Sequence, residues 1–572
     1  MPALIVTGLI ILVVIIMGIT ALINKYTPTK KTEDLKEYFN ISSDDEAALI
    51  VDNELSDYKA KIIDKKIYVD YKFVHDSLNS RFYWDANENV LLYTTASDII
   101  SAAADSNSYS VTKQTNDFGY PIVKATSDSA LIALDYVKQY SNITFKSYDD
   151  PARIVITSKW DEIDSATVSK STQVRVKGGI KSPILKEVKK DDKITILDSG
   201  DKWDKVATED GVIGYIKRKA LSESKKTKLT NPDYEEETFT HIKKDKDICL
   251  AWNQVTSQSA NSKVPQVISS TKGINVMSPT WFYLNDNNGN LADIASKDYV
   301  SYCHSQGIEV WGLFSNFENT DVDAAYVLTH TSTRTTLINQ IMSAAFNYEL
   351  DGVNIDFENI TEAAYGDSYI EFIRELAIKC HNNGISLSVD VTVPASFNKF
   401  FNRSDMANFA DYIVIMGYDE HYKGSDAGSV SSIPWVTEGV ESTLKEVPAD
   451  QIILGMPFYT RIWELTPKED DDAVTDTEDQ SKYTVASQVY SMDAAAAQLA
   501  TNNATAALDE ESGQNYAEWS VSNKLYKVWL EDNTSLENRL KLVDDNKLAG
   551  AAFWKLGFEN SSVWDTVIKY LN

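Results

Sequence analysis

Cysteine, histidine and basic charge are all scarce in this 572-residue chain. Three cysteines, Cys249, Cys303 and Cys380, are too few and too scattered for a disulfide framework or a structural zinc cluster. Asp and Glu number 84 against 55 Lys and Arg, a formal charge of −29. No general excess of cations therefore exists to neutralise nucleic-acid phosphates, which excludes a nucleic-acid binder. No G-x-S-x-G, H-E-x-x-H or C-x-x-C pattern occurs, and no phosphate-cradling loop. What is present is an ordinary globular balance, 43% hydrophobic and 24% charged. At roughly 150 residues per domain the length suggests three or four domains. Twelve Trp and 30 Tyr suit flat, hydroxyl-rich ligands.

Residues 2–24 carry no charge and are dominated by Ile, Leu and Val. A helix of about 20 such residues spans a bilayer. The apolar region of a cleaved signal peptide is usually about 7–15 residues and ends in small residues. This run is longer and has no clear A-x-A site, so residues 1–24 read as an uncleaved anchor. Lys25, Lys30 and Lys31 follow it, and the positive-inside rule would keep the bulk of the chain in the cytoplasm. Long domains are translocated regardless of flanking charge, and the expected arrangement is a single-pass cell-membrane protein with its bulk on the outer, cell-wall side.

After a polar tether (residues 25–45) comes a strand-rich region, residues 46–160. Its KKIYVDYKFVHDSLNSRFYWDANENVLLYTT alternates apolar and polar residues around an Asn/Asp turn. It resembles the small N-terminal stalk domain of copper amine oxidases. No copper is implied, because the stretch holds a single histidine, His75, and no cysteine. Residues 166–224 form a second all-β pattern with Asp-Ser-Gly and Glu-Asp-Gly turns. With Val174-Arg175-Val176 opening it, Trp203 after a turn and Gly214-Tyr215 closing it, this pattern resembles a bacterial SH3 domain. The resemblance implies a cell-wall peptide as partner; a spacer using Trp203 as core stays open. A Lys-, Thr- and Glu-rich linker (residues 225–240) leads to the large C-terminal region.

That region, residues 241–572, alternates short apolar strands with amphipathic helical stretches. The expected strands are 248–255, 273–284, 307–316, 350–359, 385–394, 411–420, 451–459 and 549–557. Eight strand–helix units over some 250 residues or more fit an α/β fold of the (β/α)8 barrel type, with an open doubly wound sheet as rival. Only the stretch between strands seven and eight is oversized. It predicts an inserted lobe over about 466–546, with KLYKVWLE as a strand within it.

The informative motif is Asp351-Gly352-Val353-Asn354-Ile355-Asp356-Phe357-Glu358. Side chains two apart on a strand share a face, so Asn354, Asp356 and Glu358 line up on one side. In a barrel the polar set points inward, with Glu358 at the C-terminal mouth. Neighbouring buried carboxylates are costly unless they share a proton, and such a pair suits a general acid protonated near neutral pH. A structural hydrogen-bond ladder is the alternative.

The motif resembles the D-x-x-D-x-D-x-E signature of glycoside hydrolase family 18, the chitinase and N-acetylglucosaminidase family, and the resemblance covers the region from about residue 240 onward. Asn354 stands where the signature has its middle Asp. DGVNIDFEN is similar to the family's cell-wall and spore-cortex lytic subgroup, which points to peptidoglycan rather than chitin. By resemblance, Glu358 is the acid, Asp356 orients the sugar acetamide, and Asp351 and Asn354 support Asp356. Tyr418 and Asp419 of MGYDE hold the acetamido group, and Trp554 forms the aromatic floor. Trp281, Tyr283, Asn316 and Tyr459, at strand ends, are further candidates for substrate contact. No metal or organic cofactor is implied. The acidic run Glu469–Asp472 reads as a solvated loop rather than a cation site.

The reaction the resemblance implies is substrate-assisted, retaining hydrolysis of a β-1,4 bond beside N-acetylglucosamine. Two other readings compete with it: a lectin-like protein on the same barrel, and an envelope protein whose N-terminal modules tether peptidoglycan.

Overall fold

The computed structural model describes residues 2–358, 360, 365–468 and 479–571. The chain divides into two compact units, residues 1–91 with 101–236, and residues 92–100 with 237–572.

The first unit opens on the helix Pro2–Tyr26. Its segment Leu4–Tyr26 is long and apolar enough to cross a membrane, and none of it is buried in the fold. At about 1.5 Å per residue those 23 residues reach roughly 35 Å, against a hydrocarbon core of about 30 Å. A seven-stranded sheet follows, in which Glu46–Val51 lies parallel to Arg153–Thr157 and antiparallel to Glu54–Ile63. A second seven-stranded sheet, built between Glu162 and Lys228, is antiparallel throughout. Its Glu209-Asp210-Gly211 turn needs glycine, since Gly211 has φ +83° and sits against Ile50 and Val155. Ala48 and Ile50 of the first sheet pack in one apolar cluster with Val174, Val206 and Ile216 of the second. The two patterns that look independent in sequence therefore share a core. Trp203 is half-buried, with the Lys217 ammonium 5.7 Å from its ring centre.

The second unit is the barrel. Its strands are β1 (Ile248–Asn253), β2 (Val276–Leu284), β3 (Glu309–Ser315), β4 (Gly352–Asp356), β5 (Ser386–Thr392), β6 (Tyr412–Met416), β7 (Ile452–Pro457) and β8 (Gly550–Trp554). All eight pair parallel in order, and β1 pairs with both β2 and β8. That double pairing closes the cylinder and excludes the open sheet. Alternation sorts the side chains: Val353 and Ile355 face outward into a cluster with Ile370, Ile373 and Leu376 of the following helix. Leu250, Trp252, Leu313 and Val414 fill the interior.

The lobe between β7 and β8 is a five-stranded antiparallel sheet, 459–530, carrying the helix Met492–Thr501. Lys524–Leu530 is the strand read from KLYKVWLE. The lobe starts earlier and stops earlier than 466–546. Its first strand begins at Tyr459, with only Phe458 separating it from β7. The helix Asn533–Asn546 is barrel, burying Leu536, Leu540 and Val543 in the outer core.

Candidate active site

At the C-terminal ends of the strands lies a cavity of about 790 Å³. Period-two alternation along β4 turns Asn354 and Asp356 inward, and Glu358 follows two residues later. Asn354 is fully buried and uses every position of its amide. Its Oδ1 accepts from Trp252 Nε1 at 3.0 Å and Ser278 Oγ at 2.9 Å. Its Nδ2 donates to Ser388 Oγ at 3.0 Å and Asp390 Oδ1 at 2.7 Å. Above it, Asp356 lines the cavity floor with Asp390, and Glu358 lines the wall.

Burial holds the Asp356 carboxyl well above the usual carboxylate range, with Asp390 next in importance, then Glu358 and Glu318. Glu358 is raised by burial and then by Asp419 and Glu318. Asp390 is pushed up by burial and by Glu358, against the pull of the Asn354 amide. Among the described residues, the buried Oδ1 of Asp356 has no hydrogen-bond partner. An unpaired buried acceptor of this kind costs on the order of 1–3 kcal/mol until something donates to it. The site thus combines acids protonated at higher pH than usual with a buried acceptor that has no partner among the described residues.

The walls are aromatic. Trp252 meets Trp554 edge-on at 6.0 Å and Tyr418 at 6.5 Å. Tyr459 donates its hydroxyl to Asp419 Oδ1 at 2.5 Å, and Asp419 is held in the left-handed region at φ +61°. Glu358, Asp356, Tyr418, Asp419, Trp554, Tyr283 and Tyr459 are all brought to one cavity.

Four expected residues are not in its lining. Asn354 lies beneath the floor and acts through its bonds. Asp351 precedes β4 at the far end of the barrel, where Oδ2 accepts from the Val310 N–H at 2.8 Å and lies 2.8 Å from His304 Nε2. Five residues of strand, at about 3.3 Å each, separate it from Asp356, so it cannot support that carboxylate. Trp281 points into the outer core, donating to Asn261 Oδ1 at 2.8 Å. The cause is a register shift in β2 between Thr280 and Phe282: a bulge inserts one residue and breaks the alternation. Thr280 and Tyr283 consequently face the cavity, while Trp281 and Phe282 face out. Asn316 is buried just past β3, and its neighbours Phe317 and Glu318 line the site instead. The acidic run Glu469–Asp472 falls outside the described residues.

Sequence reasoning missed Asp390, Glu318, Glu420, Trp252 and Trp435, all in the lining. Asp390 left a readable signal, since Ser386, Ser388 and Asp390 recur at period two in SLSVDVT, a polar face in an otherwise apolar strand.

Residues 314–559 match the model of the glycosyl hydrolases family 18. This barrel is a family 18 glycosyl hydrolase domain. The chain is a glycosidase, with family 18 relatives among both cortex-lytic enzymes and chitinases. It is 24% identical over 302 residues to the uncharacterized glycosylase YvbX of Bacillus subtilis, spanning 50% of this chain and 81% of that one. It is 24% identical over 287 residues to the cortical fragment-lytic enzyme of Bacillus subtilis, spanning 48% and 63%. Among solved structures, the Bacillus cereus spore cortex-lytic enzyme SleL aligns at TM-score 0.50 and 18% identity, covering 61% of this chain and 77% of that one. That likeness is one of fold.

Proposed function

We propose that this family 18 glycosidase is anchored by its N-terminal helix on the outer face of the cell membrane. There it hydrolyses β-1,4 bonds beside N-acetylglucosamine in peptidoglycan. The observation that carries the reading is the convergence of Glu358 and Asp356 on one aromatic-walled cavity, with the buried Asp356 Oδ1 unpartnered. An acetamide N–H is the donor that oxygen suits.

Most retaining glycosidases use an enzyme carboxylate as nucleophile, whereas family 18 relies on the substrate. The acetamide oxygen attacks the anomeric carbon and the glycosidic C–O bond breaks, leaving an oxazolinium ion. Glu358 gives its proton to the leaving oxygen, then takes one from the water that attacks the anomeric carbon, breaking its bond to the acetamide oxygen and restoring the acetamide. Asp356 orients the acetamide and, ionised as the oxazolinium ion forms, balances its developing positive charge. Tyr418 and Asp419 hold the same group, with Tyr459 fixing Asp419 through the 2.5 Å bond, and Trp554 supplies an apolar floor. An internal nucleophile held in attack geometry is worth an effective concentration on the order of 10⁵ M or more. Tyr283 contacts the sugar from the opposite wall. A wall peptide at the 162–228 sheet, beside the half-buried Trp203, is the second partner of this reading.

The test incubates the full-length chain in detergent with purified peptidoglycan and reads released reducing ends by mass spectrometry, beside Glu358→Gln. Fragments ending in reducing N-acetylglucosamine, lost with the variant by a factor on the order of 10²–10⁴, support the reading. Full activity in Glu358→Gln overturns it. Binding without any release points instead to a lectin-like protein.

A further inference from the structure

Asn354 stands where the family signature carries a carboxylate, and as a neutral amide with all its positions bonded it can neither store nor pass a proton. One of those bonds leads across to the next strand. The β4–β5 register pairs Asn354 with Ser388 and Ile355 with Val389, so one step further along the same register sets Asp356 beside Asp390. Both side chains line the cavity, on strands whose backbones run about 4.8 Å apart. Asp390 is buried, and its Oδ1 takes the Asn354 amide at 2.7 Å.

We infer that Asp390 is the proton-holding partner of Asp356: the carboxylate absent from position 354 is supplied one strand over, and Asp390 thereby sets the pH range in which this glycosidase works. It is a positioning residue, acting through Asp356, and the inference rests on the reaction proposed above. In the resting site Glu358 carries one proton and the Asp356–Asp390 pair shares another. When Glu358 protonates the leaving oxygen, the shared proton settles on Asp390, so the positive oxazolinium ring faces two carboxylates, Glu358 and Asp356. The proton is shared again once the ring opens, so the pair as a whole neither gains nor loses a proton over the cycle.

The groups facing the pair are Glu358 beyond β4, Glu318 after β3, Tyr418 and Asp419 after β6, and Tyr369 of the helix Gly366–His381. Burial, followed by these carboxylates, holds both tyrosine hydroxyls well above their usual range, so they stay neutral. Among the described residues lining the cavity there is no Lys, Arg or His.

The test compares pH–rate profiles of the full-length chain on N-acetylglucosamine oligomers, or on purified peptidoglycan where only that is cleaved. Asp390→Asn removes a like-charge neighbour from both Asp356 and Glu358. Both limbs are expected to move to lower pH by about one unit, with the peak rate within about tenfold of wild type. The double variant Asn354→Asp/Asp390→Asn returns the carboxylate to β4. There it accepts from Trp252, Ser278, Ser388 and the amide introduced at 390, and both limbs return to wild-type positions. Unmoved limbs in Asp390→Asn overturn the inference, and a uniform loss at every pH that the double variant does not rescue reduces Asp390 to a packing role. Should the single variant fail to fold, the double variant decides: wild-type limbs support the pair, displaced limbs overturn it. Infrared difference spectra read the same point without turnover. The difference between wild type and Asp390→Asn at neutral pH is expected to hold the band of one buried protonated carboxylic acid, the Glu358 band cancelling; a difference spectrum without it overturns the assignment. Full activity in Glu358→Gln sinks the proposed reaction, and the infrared result on Asp390 stands apart from it.

Discussion

At the scale of single residues, a carboxylic acid buried beside another is a burden on folding that grows with pH. Asp390 and Asp356 hold their protons in the folded chain to higher pH than they do unfolded. Between the unfolded carboxylate range near pH 4 and the raised folded values, the folded state binds more protons, and stability falls as pH rises. Asp390→Asn removes one such group and keeps the acceptor for Asn354. Its melting temperature is therefore expected to exceed that of wild type at neutral pH and to converge with it below about pH 4, as calorimetry across that range will show. Asp356 and Glu358 were legible in sequence because a strand's two-residue period is unambiguous once the strand is recognised. Asp390 was not, because its partnership with Asp356 crosses strands and no contiguous motif spells it. Trp281 misled for the converse reason, since one bulged residue in β2 inverts the face on which it lies.

At the scale of elements, the barrel's N-terminal end is stitched by polar residues placed just before strands. Asn275, before β2, accepts from the Cys249 N–H of β1 at 2.9 Å. Asp351, before β4, accepts from the Val310 N–H of β3 at 2.8 Å. Asp411, before β6, accepts from the Leu387 N–H of β5 at 2.8 Å. The first Asp of the signature is thus a staple between strands. Asp351→Ala is expected to lower stability by about 1–3 kcal/mol, by leaving a backbone donor unmet. Turnover per folded molecule stays unchanged, and denaturant titration beside activity measured on the folded fraction separates the two. All eight strands were readable because each is a short apolar run between helical stretches. The lobe's limits were not, because its first strand continues the apolar character of β7 without a turn residue between them.

At the scale of the whole molecule, charge is the governing feature. The chain carries −29, and six carboxylates line the cavity (Glu318, Asp356, Glu358, Asp390, Asp419 and Glu420) with no cation among its described lining. A glycan bearing free carboxylates meets repulsion both at a distance and inside the cleft. With a screening length of about 10 Å at 0.1 M salt, kcat/KM on such a glycan is expected to rise severalfold as salt is added, while that on a neutral oligomer of the same length stays level. Stopped assays across a salt series will check this, and equal slopes would remove charge as a factor in selection.

The join at Phe458 has a mechanical consequence. A lobe hung on a flexible loop can rock without disturbing its host, but this one has no slack: Tyr459 is at once its first strand residue and the hydroxyl that grips Asp419. Arg461, two residues on, pairs with the same carboxylate at 3.6 Å, so whatever pulls on the lobe pulls on the cavity wall, and the lobe is geared to the barrel as a lever.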